Sequence, residues 1–212
     1  MGRIYFYKLT VDDGGAPCLR DGVLSLAICK PMIRTRAELG DLIFGFAADS
    51  LHDDNRLIYI ARVTGKVSNG DYYTDPRFTQ RADCIYAKRR DEFRWRTGAL
   101  YHGPRHRTRD LGQHPTYRRA HVLLSDDFRY FGANGSADYK SRYPLIKDAV
   151  EHLGQGHRVY HNESLRTQLQ TFKQQVWSEV RRKVVGEQAT GPRRGACHRN
   201  RACGVLGGAD GL

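Results

Sequence analysis

The chain has 212 residues, 40% of them hydrophobic, which is enough for one well-filled core with an appendage. Its formal net charge of +12 favours a polyanionic partner, because clustered Lys and Arg release counterions from phosphates. No apolar run approaches the roughly 18 residues that span a bilayer, the N-terminal MGRIYFYKLT lacks a signal-peptide core, and the five cysteines form no CxxC pair, so a cytoplasmic protein without membrane contact is expected.

Ile4 to Leu9 (IYFYKL) is short and β-rich, and the turn chemistry of Asp12 to Gly15 ends it. Val23 to Cys29 is apolar without a clear period, so strand and short helix both stay open. Lys30-Pro31 breaks that run, since proline has no amide donor and pushes its predecessor towards extended geometry. Gly40-Asp41 then turns the chain into two apolar runs, Leu42 to Ala47 (LIFGFA) and Leu57 to Val63 (LIYIARV). With a polar connection between them they read as a hairpin, the centre of the fold.

Further on, Asn69-Gly70 and Asp75-Pro76 mark turns around Tyr72 and Tyr73, and Ala82 to Tyr86 reads as a short strand. His121 to Ser125 and Phe128 to Phe131 read as two more, and such a series suits a small barrel whose closure removes exposed edges. Ser141 to Leu153 has helical spacing with Pro144 in its first turn. A second helix starts after Asn162, a good N-cap, and carries Leu165, Leu169, Phe172, Val176, Val180 and Val184 along one stripe that packs inward. Residues 1–185 are expected to form one domain, and 186–212, rich in Gly and Arg, a disordered basic tail.

Between Lys88 and Arg119 lie ten Lys or Arg and three acids, a surplus of +7 in one loop-like segment. Phe93, Trp95, Tyr101 and Tyr117 are interleaved with these cations and offer rings on which bases stack. Arg89, Arg90, Arg94, Arg96, Arg105 and Arg107 are therefore the candidate phosphate contacts. A solvated basic insertion is the plainer alternative.

Four stretches in order, CKPMIRTRAELGDLIFGF, NRLIYIARV, DDFRYFG and GQGHR, resemble the second type of nucleotide-modification-associated domain. The likeness runs from about Ile4 to Arg158, and its core is also similar to PUA-like, ASCH and EVE domains. The resemblance implies an α+β fold, a small PUA-like mixed β-barrel followed by two helices. It implies partners that are DNA or RNA, modified bases included, and a base-modifying enzyme encoded nearby. For a pocket that holds a modified or flipped nucleobase, the candidates are Lys30, Arg34, Asp41, Phe44, Tyr59, Arg62 and Tyr73.

Three rival readings stay open. His102, His106, His114 and His121, with Asp110, Asp126 and Asp127, contain types that bind Zn, although Gly103-Pro104 spoils helical spacing. No cofactor or metal is expected. Cys29 beside Lys30 is a conceivable nucleophile, because a nearby ammonium lowers a thiol pKa, but a cysteine ending an apolar run is more often simply buried. No GxSxG elbow, P-loop or dinucleotide fingerprint is present, so an enzyme of a base-modification or nucleotide pathway has no motif behind it. The third reading is a basic face that meets an acidic protein.

Overall fold

The computed structural model describes residues 2–154 and 156–189. The chain builds β1 (Ile4–Leu9), β2 (Cys18–Arg20), β3 (Val23–Leu26), α1 (Pro31–Arg36), β4 (Leu42–Ala47), β5 (Leu57–Arg62) and β6 (Gly65–Val67). There follow β7 (Tyr86–Arg89), β8 (Glu92–Trp95), α2 (Arg107–Leu111), β9 (Val122–Ser125) and β10 (Asp127–Tyr130). Last come α3 (Tyr139–Arg142), α4 (Pro144–Glu151), β11 (His157–Arg158) and α5 (Glu163–Glu179).

The larger sheet has the order β10-β5-β4-β1-β11, with β1 parallel to β4 and its other pairs antiparallel. The second sheet runs β2-β3-β9-β6, and β7 with β8 forms a separate hairpin. Alternation along β1 shows how the layers arise: Ile4 and Phe6 point to one side, Tyr5 and Tyr7 to the other. The first side packs with Phe44 and Phe46 against Ile146, Val150, Leu169 and Phe172 of α4 and α5. On the second side, Tyr59 and Phe128 meet Leu24, Leu26, Ile33 and Leu123 from the smaller sheet and α1. A third cluster under the hairpin joins Ile28, Tyr72, Tyr73, Ile85, Phe93 and Leu111.

The β4–β5 hairpin forms as expected, with one irregularity at Gly45. Tyr59 stands opposite Gly45 but Leu57 opposite Phe46, so one residue of β5 is extra and both Ile58 and Tyr59 face the second cluster. A side chain at Gly45 would place its Cβ 2.3 Å from the Tyr59 ring. Glycine is needed there for close approach.

The expected barrel is corrected: there are several sheets and no closed barrel among the described residues. Helices α4 and α5 cover the outer face of the larger sheet, so curling into a tube is not required to bury it. Its β10 edge is covered by the segment after α5, where Tyr130 donates to the Lys183 carbonyl and Val185 to that of Tyr130, both at 2.8 Å. The stripe through Val184 therefore does not continue as helix. Val180 is already extended, while Asn162 accepts from the Leu165 amide as a true N-cap.

Other boundaries shift for local reasons. The strand expected at Ala82 starts only at Tyr86, because Asp83 turns inward to accept from Ser25, at 2.5 Å, and from Tyr72, at 2.7 Å. Pro144 divides the expected single helix into α3 and α4. Docking extends past residue 185, since Ala133 donates to the Glu187 carbonyl at 2.7 Å and Ala189 to Asp12 at 3.3 Å. The rest of the expected tail lies outside the described residues.

Candidate nucleic-acid interface

The segment with the surplus of positive charge is ordered around the β7–β8 hairpin rather than being a loop throughout. Arg89 pairs with Glu92 across a two-residue link in which Arg90 takes a left-handed φ of 54°. Alternation sends Phe93 inward, where its ring lies 5.9 Å from Tyr73 and 5.0 Å from Tyr117. Gly70, at φ 81°, makes room for that ring. The opposite face keeps Arg89 and Arg94 exposed.

An open groove of about 910 Å³ is lined by Ala87, Arg89, Arg90, Arg94, Trp95 and Arg96, with Trp95 on the side of the hairpin that packs against the third cluster. Trp95 is half-buried, and its indole N–H donates to the Tyr101 carbonyl at 3.2 Å. Arg96 lines the groove but spends its donors on the carbonyls of Tyr86 and Thr79, at 2.8 and 3.1 Å. Arg107 reaches back to Glu92 and holds that carboxyl below its ordinary pKa through a hydrogen bond to the charged form. Arg105 stands exposed on the 3-10 turn Pro104–His106. Of the six expected phosphate contacts, the structure thus leaves Arg89, Arg90, Arg94 and Arg105 facing solvent and uses Arg96 and Arg107 for support.

The seven residues expected in a base pocket do not come together. Phe44 is in the first core cluster, Tyr59 in the second and Tyr73 in the third, each at most 1% exposed. Asp41 is buried and caps a turn by accepting from the amides of Arg3 and Glu38, at 2.6 and 2.9 Å. Arg62, a cation in an apolar strand, finds Asp127 at 3.1 Å. Lys30 lies 4.5 Å over the Tyr7 ring, whose hydroxyl is 2.9 Å from that of Tyr59. Arg34 is fully buried and donates to four backbone carbonyls. Solvation decided these fates: a ring that fills a core layer is not also a pocket wall.

Of the four histidines in this span, His102 and His106 stay together with ring centroids 4.7 Å apart, and His102 pairs with Asp110 at 2.5 Å, whereas His121 pairs with Ser68 at 3.0 Å and His114 is exposed. Among the described residues, no group of three or more His, Cys, Asp or Glu is arranged to hold a metal ion. The sequence marks Asp110 only as a candidate metal ligand, whereas in the structure it anchors the hairpin. The Tyr86 hydroxyl, at the start of β7, donates to its carboxylate at 2.7 Å. A signal existed, since Asp110 is one of three acids among ten cations. Burial opposes its ionisation, but hydrogen bonding and charge from His102, the charge of Arg34 and the Tyr86 hydrogen bond prevail and set its pKa below the ordinary carboxylate value.

Among the described residues no helix is long and apolar enough to cross a membrane. No curated protein and no solved structure matches the chain. The sequence model of one family, described as nucleotide modification associated domain 2, matches residues 1–190, and the chain belongs to that family.

Proposed function

We propose that this domain docks on a nucleic acid strand in a nucleotide-modification setting. Arg89, Arg90 and Arg94 meet phosphates, and a modified or extruded base stacks on Trp95. The groove carries this reading, because several cations and an aromatic side chain lining one groove are what single-strand surfaces use. A solvated insertion has no need of a rigid base, yet this hairpin is fixed by Tyr86, Phe93 and Trp95. Membership of the family supplies the setting.

Fluorescence anisotropy with labelled single-stranded DNA and RNA at rising salt tests it. Log affinity should fall linearly with log salt, and the triple variant Arg89→Gln/Arg90→Gln/Arg94→Gln should flatten the slope by about 2, at roughly 0.7 per lost phosphate contact on single strands. Salt-independent binding, or an unchanged slope in the triple variant, would refute the reading.

A further inference from the structure

The geometry points to a nucleophilic triad made of Cys29, His102 and Asp110, and thus to an acyl-transfer activity at an ester or amide carbonyl. The Cys29 Sγ lies 3.2 Å from His102 Nε2, and the His102 Nδ1 lies 2.5 Å from Asp110 Oδ2. This is the order in which a nucleophile, a base and an orienting carboxylate work. The Asp110 carboxylate accepts a hydrogen bond from Nδ1–H, which leaves the Nε2 lone pair for the thiol. That a nucleotide carries the acyl group rests on the function proposed above. The triad itself does not.

Exposure is graded as such chemistry needs. The side chains of His102 and Asp110 are 1% and 0% exposed, whereas Cys29 is only half-buried. Burial sets the other two described thiols apart: it pushes Cys84 up to about 11 and Cys18 up to about 12, which leaves them inert at neutral pH. The backbone is also unusual. Cys29, at φ 57°, and Lys30, at φ 39°, take left-handed conformations between β3 and α1, and His102 does so too, at φ 53°. A strand-to-helix turn of this kind is how other folds expose a nucleophile.

The positions are fixed from behind. Arg34 donates from Nε to the Cys29 carbonyl and from Nη2 to the Asp110 carbonyl, both at 2.7 Å, and so joins the nucleophile's turn to the carboxylate's helix. Tyr86 donates to Asp110. Titratable groups facing the thiol and imidazole include Lys30 and Tyr7 on the β1 side and His106, whose ring centroid is 4.7 Å from that of His102. A merely structural cysteine needs none of this alignment.

The chemistry balances without an added oxidant or cofactor. His102 Nε2 takes the thiol proton, the sulfur lone pair forms a bond to the carbonyl carbon, and the π pair moves to oxygen. Its return expels the amine or alcohol, which takes the proton from His102 and leaves a thioester on Cys29. Water or an amine acceptor then attacks that thioester, giving its proton to His102, and Cys29 departs as thiolate. Asp110 is a positioning residue throughout.

Iodoacetamide on the full chain, with site-resolved mass spectrometry, tests the proposal. An ordinary thiol, with pKa about 8.5, slows nearly tenfold for each pH unit below 8. Cys29 should instead keep a nearly level rate from pH 8 to 6, about tenfold or more above a cysteine peptide at pH 6. His102→Ala should abolish the low-pH rate, Asp110→Asn should lower it, and Asp110→Glu should restore part of it. A nitrophenyl acetate burst with an acetyl group on Cys29 should appear in the wild type and vanish in Cys29→Ser. Ordinary thiol behaviour of wild-type Cys29 overturns the proposal, and that profile needs no variant to fold. Loss of oligonucleotide binding with an intact thiol profile would sink only the docking reading, and the reverse only the triad.

Discussion

The guanidinium of Arg34 donates to the Asp110 carbonyl at 2.7 Å although the two residues are 76 apart in sequence. Its remaining donors reach the carbonyls of Cys29, Arg119 and His121, so one buried cation closes three chain segments onto α1. Lysine has a single donor head and no fork, so Arg34→Lys cannot replace this pattern. Removal of the guanidinium leaves buried carbonyls unpaired, each worth roughly 1–3 kcal/mol. Arg34→Lys should lower stability by about 3 kcal/mol or more on that basis, read as a fall in the urea midpoint. A change within about 0.5 kcal/mol, the range of ordinary surface substitutions, would show that the clamp is dispensable.

Tyr86→Phe isolates the link between hairpin and carboxylate. The hydroxyl is buried and pushed well above its ordinary pKa by desolvation, then by the Asp110 charge, so it stays a donor. Loss of a hydrogen bond to a charged group should cost about 1.5–3 kcal/mol. Thermal unfolding of the variant measures it, and the melting temperature should drop while the fold persists.

Acid should weaken the fold through half-buried imidazoles. Desolvation leads the causes that lower the pKa of His121, His157 and His161, with neighbouring cations adding to it. For a group with a depressed folded pKa, the unfolded chain binds the proton first. Stability is therefore present above the unfolded value near 6.5 and is lost as pH falls through the folded values. His161 is the clearest case: desolvation leads, its ring stacks on Phe6 at 5.3 Å and Arg158 and Arg166 add to the shift, while the Nε2 hydrogen bond to the Ile4 carbonyl at 2.8 Å opposes it. Urea midpoints between pH 7 and 5 should decline, and His161→Gln should decline less steeply. Parallel curves would remove His161 from this account.

The parts legible in sequence are those that local pattern determines. The runs of β1, β4 and β5 alternate between two buried faces, and the Asn162 cap needs only its own helix. Barrel closure depended on which surface covers an edge, and the residues that cover β10, Lys183 and Val185, looked like the end of a helix. The residue types of Tyr59 and Tyr73 suit a pocket wall, but a tyrosine can fill a core layer and still satisfy its hydroxyl, as Tyr73 does on the Ala27 carbonyl at 2.9 Å. Cys29, His102 and Asp110 each stand out in the sequence as chemistry-bearing residues. Their alignment is a property of tertiary structure, because 73 residues separate the first two and no spacing rule joins them.

Trp95 offers a direct optical test of the groove. The chain has two tryptophans, and Trp177 is remote in character: its indole donates to Asp127 at 2.7 Å and its ring faces Arg129 and Lys173. In a Trp177→Phe background, emission would report Trp95 alone. A base stacked on an indole quenches it, and such stacking contributes about 1–3 kcal/mol per base. Addition of single-stranded oligonucleotide should quench Trp95, and high salt should reverse the effect as phosphate contacts dissolve. Trp95→Ala, read by anisotropy, should weaken binding about 5-fold to 150-fold, which is that stacking range converted to affinity. Full affinity in Trp95→Ala with the salt slope retained would mean that the arginines hold the backbone and no base enters the groove.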